Sequence, residues 1–150
     1  MREAIAISVE NIHNNIGGPF GAVIVRNGEI LARGSNRVTS DNDPTAHAEM
    51  VAIRNACKEV NNFSLEDCEI YTSCEPCPMC LSAIYWAGIK KVYYGNTKLD
   101  AADIQFNDNF IYEELDKPIE NRALATEQIL HEESIAAFKM WEEKEDKVRY

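Results

Sequence analysis

The N-terminal third of the chain combines a helical and an extended pattern of apolar residues. Near the start, apolar side chains recur at intervals of four, three and four positions, at Ile5, Val9, Ile12 and Ile16. This spacing predicts one face of a helix, which Gly17-Gly18-Pro19 would end. The unbroken apolar run from Phe20 to Val25 predicts a strand buried on both faces. Asn27-Gly28 then indicates a hairpin turn, so a return strand is expected over residues 29–36.

The rest of the chain continues this alternation. Helices are predicted over residues 45–59, with Thr45 as the N-cap, and over residues 79–87. Strands are predicted over residues 68–73 and 91–95, and loops over residues 37–44 and 96–109. From Glu120 onward the pattern is mostly helical. The order of elements predicts an α/β fold in one domain, residues 1–150, with helices on both faces of the sheet.

Composition narrows the class of protein. The chain has 150 residues, of which 45% are apolar, and both values fit one globular domain. The formal net charge of −10 argues against a protein that grips phosphate backbones, so no nucleic-acid partner is expected. No stretch reaches the roughly 18 apolar residues of a membrane span, and the N-terminus does not read as a secretory signal. We therefore expect a cytoplasmic protein without a membrane partner.

The cysteines point to chemistry. Cys74, Cys77 and Cys80 fall within a short segment, and in a chain without a secretory signal such a cluster indicates metal or redox chemistry rather than disulfides. Cys77 and Cys80 are spaced to lie on one face of a helical turn, so both sulfurs can reach one ion. Pro78 suits the first position of that helix, whose N-terminus favours thiolates.

His47-Ala48-Glu49 supplies the other half of the pattern. A neutral His47 with the Cys77 and Cys80 thiolates gives three ligands for Zn²⁺ and leaves a fourth position for water, which is typical of a catalytic site. Two thiolates make the bound water less acidic, so a nearby base is useful, and Glu49 is the candidate. The sequence therefore predicts that Glu49 moves protons while zinc activates a water. Cys74 is expected to stay outside the ligand set.

The segments around these residues identify a family. Residues 44–49 and 72–80 are similar to the zinc motifs of the cytidine deaminase-like superfamily. Within it the chain resembles bacterial guanine deaminases, through the segments 17–23, 83–87 and 100–112. The close match runs from about Gly17 to Pro118. It departs from the usual pattern at Gln105 and Asn107, where glycine and aspartate are common, and Asp108 is the matching carboxylate.

The resemblance implies the following expectations. The fold would be a three-layer α/β/α sandwich with a mixed sheet of about five strands. The reaction would be hydrolysis of guanine, a small-molecule purine base, to xanthine and ammonia. Asn36 and Asp108 would hydrogen-bond the purine, with Phe20, Ala48 and Trp86 lining its site. A homodimer would exchange its C-terminal segments, about residues 120–150, so that Tyr150 closes over the partner's pocket.

Three alternatives remain open at this stage. A tRNA adenosine deaminase, or another nucleobase or nucleoside deaminase, shares the zinc motifs, although such tRNA enzymes typically carry a basic, glycine-rich run where this chain has residues 97–103. A structural zinc module would need a fourth protein ligand, for which Cys74 is the close candidate. A thiol redox protein would be active without metal.

Overall fold

The computed structural model describes residues 1–149 and divides the chain into two compact units, with the boundary after Asn109. The first unit contains α1 (Arg2–His13), β1 (Gly21–Arg26), β2 (Glu29–Ser35), α2 (Val38–Asp41), α3 (Ala48–Val60), β3 (Cys68–Cys74), α4 (Pro78–Trp86), β4 (Lys91–Asn96) and α5 (Lys98–Asp103). From the boundary onward the chain forms α6 (Asn109–Asp116), a 3₁₀ turn (Ile119–Asn121) and α7 (His131–Glu143). None of the helices in residues 1–149 is both long and apolar enough to cross a bilayer.

The predicted α/β class and mixed sheet are confirmed, but the number of strands differs. The strand order is β2-β1-β3-β4, with antiparallel β1–β2 and β1–β3 pairs and a parallel β3–β4 pair. Within residues 1–149 the sheet has four strands rather than about five. The chain turns into a helix directly after β4, because Thr97 and Asp100 form a capping box that starts α5. The expected loop over residues 96–109 therefore contains a helix, as does the expected loop over residues 37–44.

Helices cover both faces of the sheet, and two glycines show which helix lies on which face. A Cβ atom on Gly21 would lie 2.4 Å from the carbonyl oxygen of Ala4 in α1, and one on Gly34 would lie 2.2 Å from that of Ala48 in α3. Gly34 pairs with Ala22, the neighbour of Gly21 along β1. Because successive residues of a strand point to opposite faces, α1 and α3 lie on opposite sides of the sheet.

The N-terminal helix buries a different face from its apolar stripe. Its buried residues are Ala4, Ser8 and Asn11, whereas the side chains of Ile5, Val9 and Ile12 are 45–53% exposed. The close approach of α1 to Gly21 explains the difference, because only small or compact side chains fit between this helix and β1. The helical period was predicted correctly, but it does not identify the face that packs on the sheet.

The second unit has little apolar burial of its own. None of the residues of α6 or α7 within the described chain is buried, and Leu124, Ile129, Phe138 and Met140 are 69–78% exposed. Residues 122–130 form no regular element, so the helix predicted from Glu120 onward is confined mainly to α7. Glu114 in α6 accepts a hydrogen bond from the backbone N–H of Ala123 at 2.6 Å, and this bond connects α6 to the segment after the 3₁₀ turn.

Candidate metal site and active site

The loop before α3 places His47 at the start of that helix. The Asp43 carboxylate accepts hydrogen bonds from the backbone N–H of Thr45 at 2.8 Å and from its hydroxyl at 2.7 Å. These bonds lower the pKa of Asp43 and form a turn that delivers the chain to His47. The N-cap of α3 is His47 and not Thr45, because this turn already uses the Thr45 side chain outside the helix.

A second helix N-terminus brings the cysteines to the same place. Strand β3 ends at Cys74, and the backbone N–H of Glu75 donates to the carbonyl of Asn96 at 2.8 Å, which ties the following loop to the end of β4. Cys77 is the N-cap of α4 and Pro78 opens the helix, as predicted. Cys80 lies in the first turn and is fully buried.

The three predicted ligands come together. The Sγ atoms of Cys77 and Cys80 lie 3.5 and 3.6 Å from Nδ1 of His47, and all three donor atoms lie within 4.8 Å of one another. Zinc–sulfur bonds of about 2.3 Å and zinc–nitrogen bonds of about 2.0–2.1 Å at tetrahedral angles place sulfur and nitrogen about 3.5 Å apart. The donor set therefore fits a tetrahedral zinc ion in both chemistry and spacing.

The electrostatics of this group also suit a metal. A hydrogen bond from the Cys80 thiol lowers the pKa of Cys77 to about 4, and the same contact, together with burial, raises the pKa of Cys80. The hydrogen bond to Cys77 raises the pKa of His47. Without an ion, the Cys77 thiolate is thus stabilised by the hydrogen bond that the Cys80 thiol donates to it. A divalent cation supplies the positive charge that lets both sulfurs ionise.

Glu49 lies in the first turn of α3, two residues after His47. It is only 6% exposed, and burial raises the pKa of its carboxyl group. A raised pKa brings a carboxyl group closer to the working range of a general acid and base near neutral pH. The carboxyl group also contacts the Cys80 thiol, so it lies beside the ligand set without being part of it.

Of the two predicted purine-binding residues, Asn36 lies on a segment that is hydrogen-bonded to the loop before His47. Asn36 is 6% exposed and follows β2, and the next residue donates from its backbone N–H to the carbonyl of Ala46, beside His47. The Oδ1 atom of Asn36 accepts from the backbone N–H groups of Gly18 and Val38 at 3.2 and 3.3 Å. Its Nδ2 group is therefore the part of the carboxamide that can serve a ligand as a donor.

Asp108 is half-buried at the end of the first unit. Burial raises the pKa of its carboxyl group, and the Cys77 thiolate raises it further. Asp108 in turn contributes to the raised pKa of His47, which shows that its charge acts on the ligand group. The structure therefore brings this loop carboxylate to the predicted site.

The expected lining residues differ in their surroundings. Phe20 packs edge-on against Phe106, with ring centroids 5.0 Å apart, and Ala48 is fully buried at the start of α3. Trp86 instead ends α4 with 73% of its surface exposed. Tyr150 lies outside the described residues.

Sequence reasoning gave no role to several residues that shape this region. Phe106 forms an aromatic pair with Phe20, and Glu75 accepts the backbone N–H of Lys98 at 3.1 Å, which ties the loop after β3 to the start of α5. The sequence feature that could have identified Phe106 is its position as a lone aromatic residue among Asn and Asp residues. Cys74 stays outside the ligand group, as predicted: its thiol donates to the carbonyl of Thr97 at 3.6 Å, and burial raises its pKa to about 11.

This fold and this ligand set define a zinc deaminase domain. The chain belongs to the cytidine and deoxycytidylate deaminase family, whose zinc-binding region matches residues 1–96. The chain is 50% identical over 150 residues to guanine deaminase of Bacillus subtilis (strain 168), covering 100% of this chain and 96% of that protein. An X-ray structure of guanine deaminase from Bacillus subtilis matches it with a TM-score of 0.96 at 50% identity, over 99% of this chain and 95% of the other.

The similarity to the tRNA enzymes is shorter. The tRNA-specific adenosine deaminase of Aquifex aeolicus (strain VF5) is 49% identical over 76 residues, which are 51% of this chain and 50% of that protein. The likeness to this tRNA enzyme thus covers about half of the chain, whereas the likeness to the guanine deaminase of Bacillus subtilis extends over all of it.

Proposed function

We propose that this chain hydrolyses guanine to xanthine and ammonia. The observation that carries the proposal is the group formed by His47, Cys77 and Cys80, with Glu49 against Cys80 and the charge of Asp108 acting on His47. Asn36 supports it as the neighbour of Arg37, whose backbone N–H binds the carbonyl of Ala46. The full-length likeness to a guanine deaminase supports the choice of substrate.

His47, Cys77 and Cys80 would hold the zinc ion. Zinc bound there would act as a Lewis acid that lowers the pKa of a coordinated water. Glu49 is the group that moves protons. Its buried carboxylate would accept one proton from the attacking water and pass it to a ring nitrogen of the base. It would then take the proton of the hydroxyl group that has added to the ring carbon and give it to the departing amine, which leaves as ammonia. The burial of Glu49 serves this cycle because it holds the carboxyl pKa above its usual range.

Asp108 and Asn36 select the base. A half-buried carboxylate at Asp108 accepts the ring N–H of guanine, whereas adenine offers an acceptor at that position and would leave the two groups in repulsion. The Nδ2 group of Asn36 donates to an acceptor on the purine, because its Oδ1 is already bound to two backbone N–H groups. Phe20 and Trp86 would form apolar walls beside the ring, and Ala48, which is fully buried, would belong to the site at the start of α3.

The proposal includes a homodimer that exchanges its C-terminal segments. The second unit leaves the large side chains of Phe138, Met140 and Trp141 exposed at 45–74%, and large exposed apolar side chains on one helix support an interaction site there. Exchange between identical subunits covers such surface at low cost. Tyr150 of one subunit would then close over the pocket of the other.

The proposal also includes the three-layer arrangement of the fold and a cytoplasmic location. Helices on opposite faces of the sheet support the three-layer α/β/α arrangement. The five free cysteines, all within the described residues, support a cytoplasmic location, since disulfides persist mainly in oxidising compartments.

The decisive experiment combines metal analysis with a substrate panel. Purified protein is assayed for ammonia release from guanine, adenine, cytosine and their nucleosides, and from a tRNA anticodon stem-loop, while zinc is quantified on the same sample. We expect about one zinc per chain and a clear preference for guanine. Faster turnover of the tRNA substrate or of cytidine would overturn the proposal, and full activity in metal-free protein would indicate redox or other thiol chemistry instead.

A further inference from the structure

Asn11 is a buried polar residue that the chemistry above leaves unused. It lies on the face of α1 that packs on the sheet and is 2% exposed. Its Nδ2 group donates to the carbonyl oxygen of Gly18 at 2.8 Å and to that of Asn36 at 2.9 Å. A single side chain thus ties the turn before β1 to the segment after β2.

The two segments that Asn11 joins are the two that surround the Asn36 carboxamide. Gly18 donates its backbone N–H to Oδ1 of Asn36, and the backbone N–H of Asn36 donates to the carbonyl of Phe20 at 3.1 Å. Gly17 lies so close that a Cβ atom there would be 2.3 Å from the Asn36 carbonyl oxygen. The orientation of the Asn36 side chain therefore depends on the distance between these segments, which the two hydrogen bonds of Asn11 bridge.

The Oδ1 atom of Asn11 indicates that the residue is kept for its two donor bonds. It is buried and has no hydrogen-bond partner among the described residues. A buried oxygen without a partner lowers the free energy of unfolding. If this position served packing alone, an apolar residue of similar size would therefore stabilise the fold more.

We propose that Asn11 is a positioning residue that acts through Asn36. Its Nδ2 group clamps the carbonyls of Gly18 and Asn36 together, and this holds the Asn36 carboxamide with Oδ1 on the backbone and Nδ2 directed at the purine acceptor. The inference rests on the proposed function, since it takes Asn36 to contact the substrate.

A double-mutant cycle tests this role. We expect N11A to raise KM for guanine about tenfold with a smaller change in kcat, because it weakens a contact made equally in the ground and transition states. In the N36A background, N11A should then cause no further loss of kcat/KM, since the group through which it acts is gone. N11S, which keeps one donor, should fall between the wild type and N11A and serves as the milder variant if N11A does not fold.

Ser8 provides the matched control. It is buried one turn earlier on the same helix face, and its hydroxyl donates only to the carbonyl of Ile5 at 2.8 Å, so S8A removes a hydrogen bond without touching the Asn36 segment. S8A should keep the wild-type KM. Additive losses in N11A and N36A, or an unchanged KM in N11A or N11S, would overturn the positioning role. An N36A variant with normal kcat/KM would instead contradict the proposed substrate contact of Asn36.

Discussion

His47 and Cys77 occupy the same position in two different helices. Each is an N-cap residue, of α3 and of α4, and neither side chain caps its own helix. Their Nδ1 and Sγ atoms instead lie 3.5 Å apart. The two helix N-termini therefore converge on one point, and their partial positive charges favour thiolate at Cys77 before any metal binds. A site built on helix ends leaves Glu49, in the first turn, beside the ligands.

Replacing Glu49 separates proton transfer from metal binding. E49Q keeps the size and burial of the side chain but cannot exchange a proton, so we expect kcat/KM for guanine to fall by about 10² to 10⁴ while the zinc content stays near one per chain. Zinc analysis and steady-state kinetics on the same preparation check both parts. E10Q, an exposed change on α1, serves as the control and should match the wild type. Near-normal turnover by E49Q would remove Glu49 from the mechanism.

The lowered pKa of Cys77 makes a prediction for the metal-free protein. A thiol with a pKa of about 4 is already a thiolate throughout the range pH 6–8, so its rate of alkylation should not change with pH after zinc is removed. Burial raises the pKa of Cys57 and raises those of Cys68 and Cys74 to about 11, so any reaction of these thiols should speed up as the pH rises.

Peptide mapping after brief treatment with iodoacetamide measures these rates. Restoring zinc should protect Cys77 and leave Cys57 unaffected, which makes Cys57 the internal control for reagent and folding. A Cys77 rate that rises about tenfold per pH unit between pH 6 and pH 8 would show an ordinary thiol and contradict the electrostatic account of the site.

The contact between β2 and α3 predicts that a single methyl group can disturb the metal site. A Cβ atom on Gly34 would lie 2.2 Å from the carbonyl of Ala48 and 2.4 Å from the backbone nitrogen of Ala52, and neither group can move without shifting the first turns of α3. G34A should therefore lower the free energy of unfolding by about 1–3 kcal/mol or more and weaken zinc retention, because His47 and Glu49 move with the helix.

Chemical denaturation and zinc release to a competing chelator measure the two effects. Gly28 offers the control: it lies in the hairpin turn with φ of +82° and nothing within 4 Å of an added Cβ. G28N should thus cost little, because Asn tolerates positive φ better than other side chains. If G34A retained zinc as tightly as G28N, the close helix–strand contact would not be what positions the ligands.

The sequence was most informative where chemistry imposes a spacing. The ligands His47, Cys77 and Cys80 could be predicted because two cysteines at the start of a helix and a distant histidine form a specific pattern. Pro78 marked the start of that helix. The apolar stripe of α1 was less informative. Periodicity shows that a helix is amphipathic, but it does not show which face meets a closely approaching strand such as β1.

Tertiary contacts decided what the local pattern could not. Thr45 has a good N-cap side chain, yet the Asp43 turn uses it and moves the helix start to His47. Asn11 is an ordinary polar residue in sequence, and only the approach of the segments at Gly18 and Asn36 gives it two bonds. Such outcomes depend on residues far apart in the chain, so neither propensity nor spacing could reveal them.

The proposed exchange of C-terminal segments predicts that two inactive proteins can complement each other. One partner carries E49Q with an intact C-terminus. The other keeps Glu49 but lacks residues 148–150, and should be poorly active alone because closing a pocket excludes water and holds the base. If each tail serves the opposite subunit, a mixed dimer has one complete site, made from the Glu49 of the truncated chain and the tail of the E49Q chain.

Co-expression of the two chains with different tags measures this directly. Random pairing makes half of the dimers mixed, each with one working site of two, so about a quarter of the wild-type activity should return, and it should copurify through both tags. Sedimentation at assay concentration should show dimers for every variant except F138E, whose charge on the exposed face of α7 should favour the monomer. Tails that pack on their own subunit would give no complementation, because every mixed dimer would then contain one chain without its base and one without its tail.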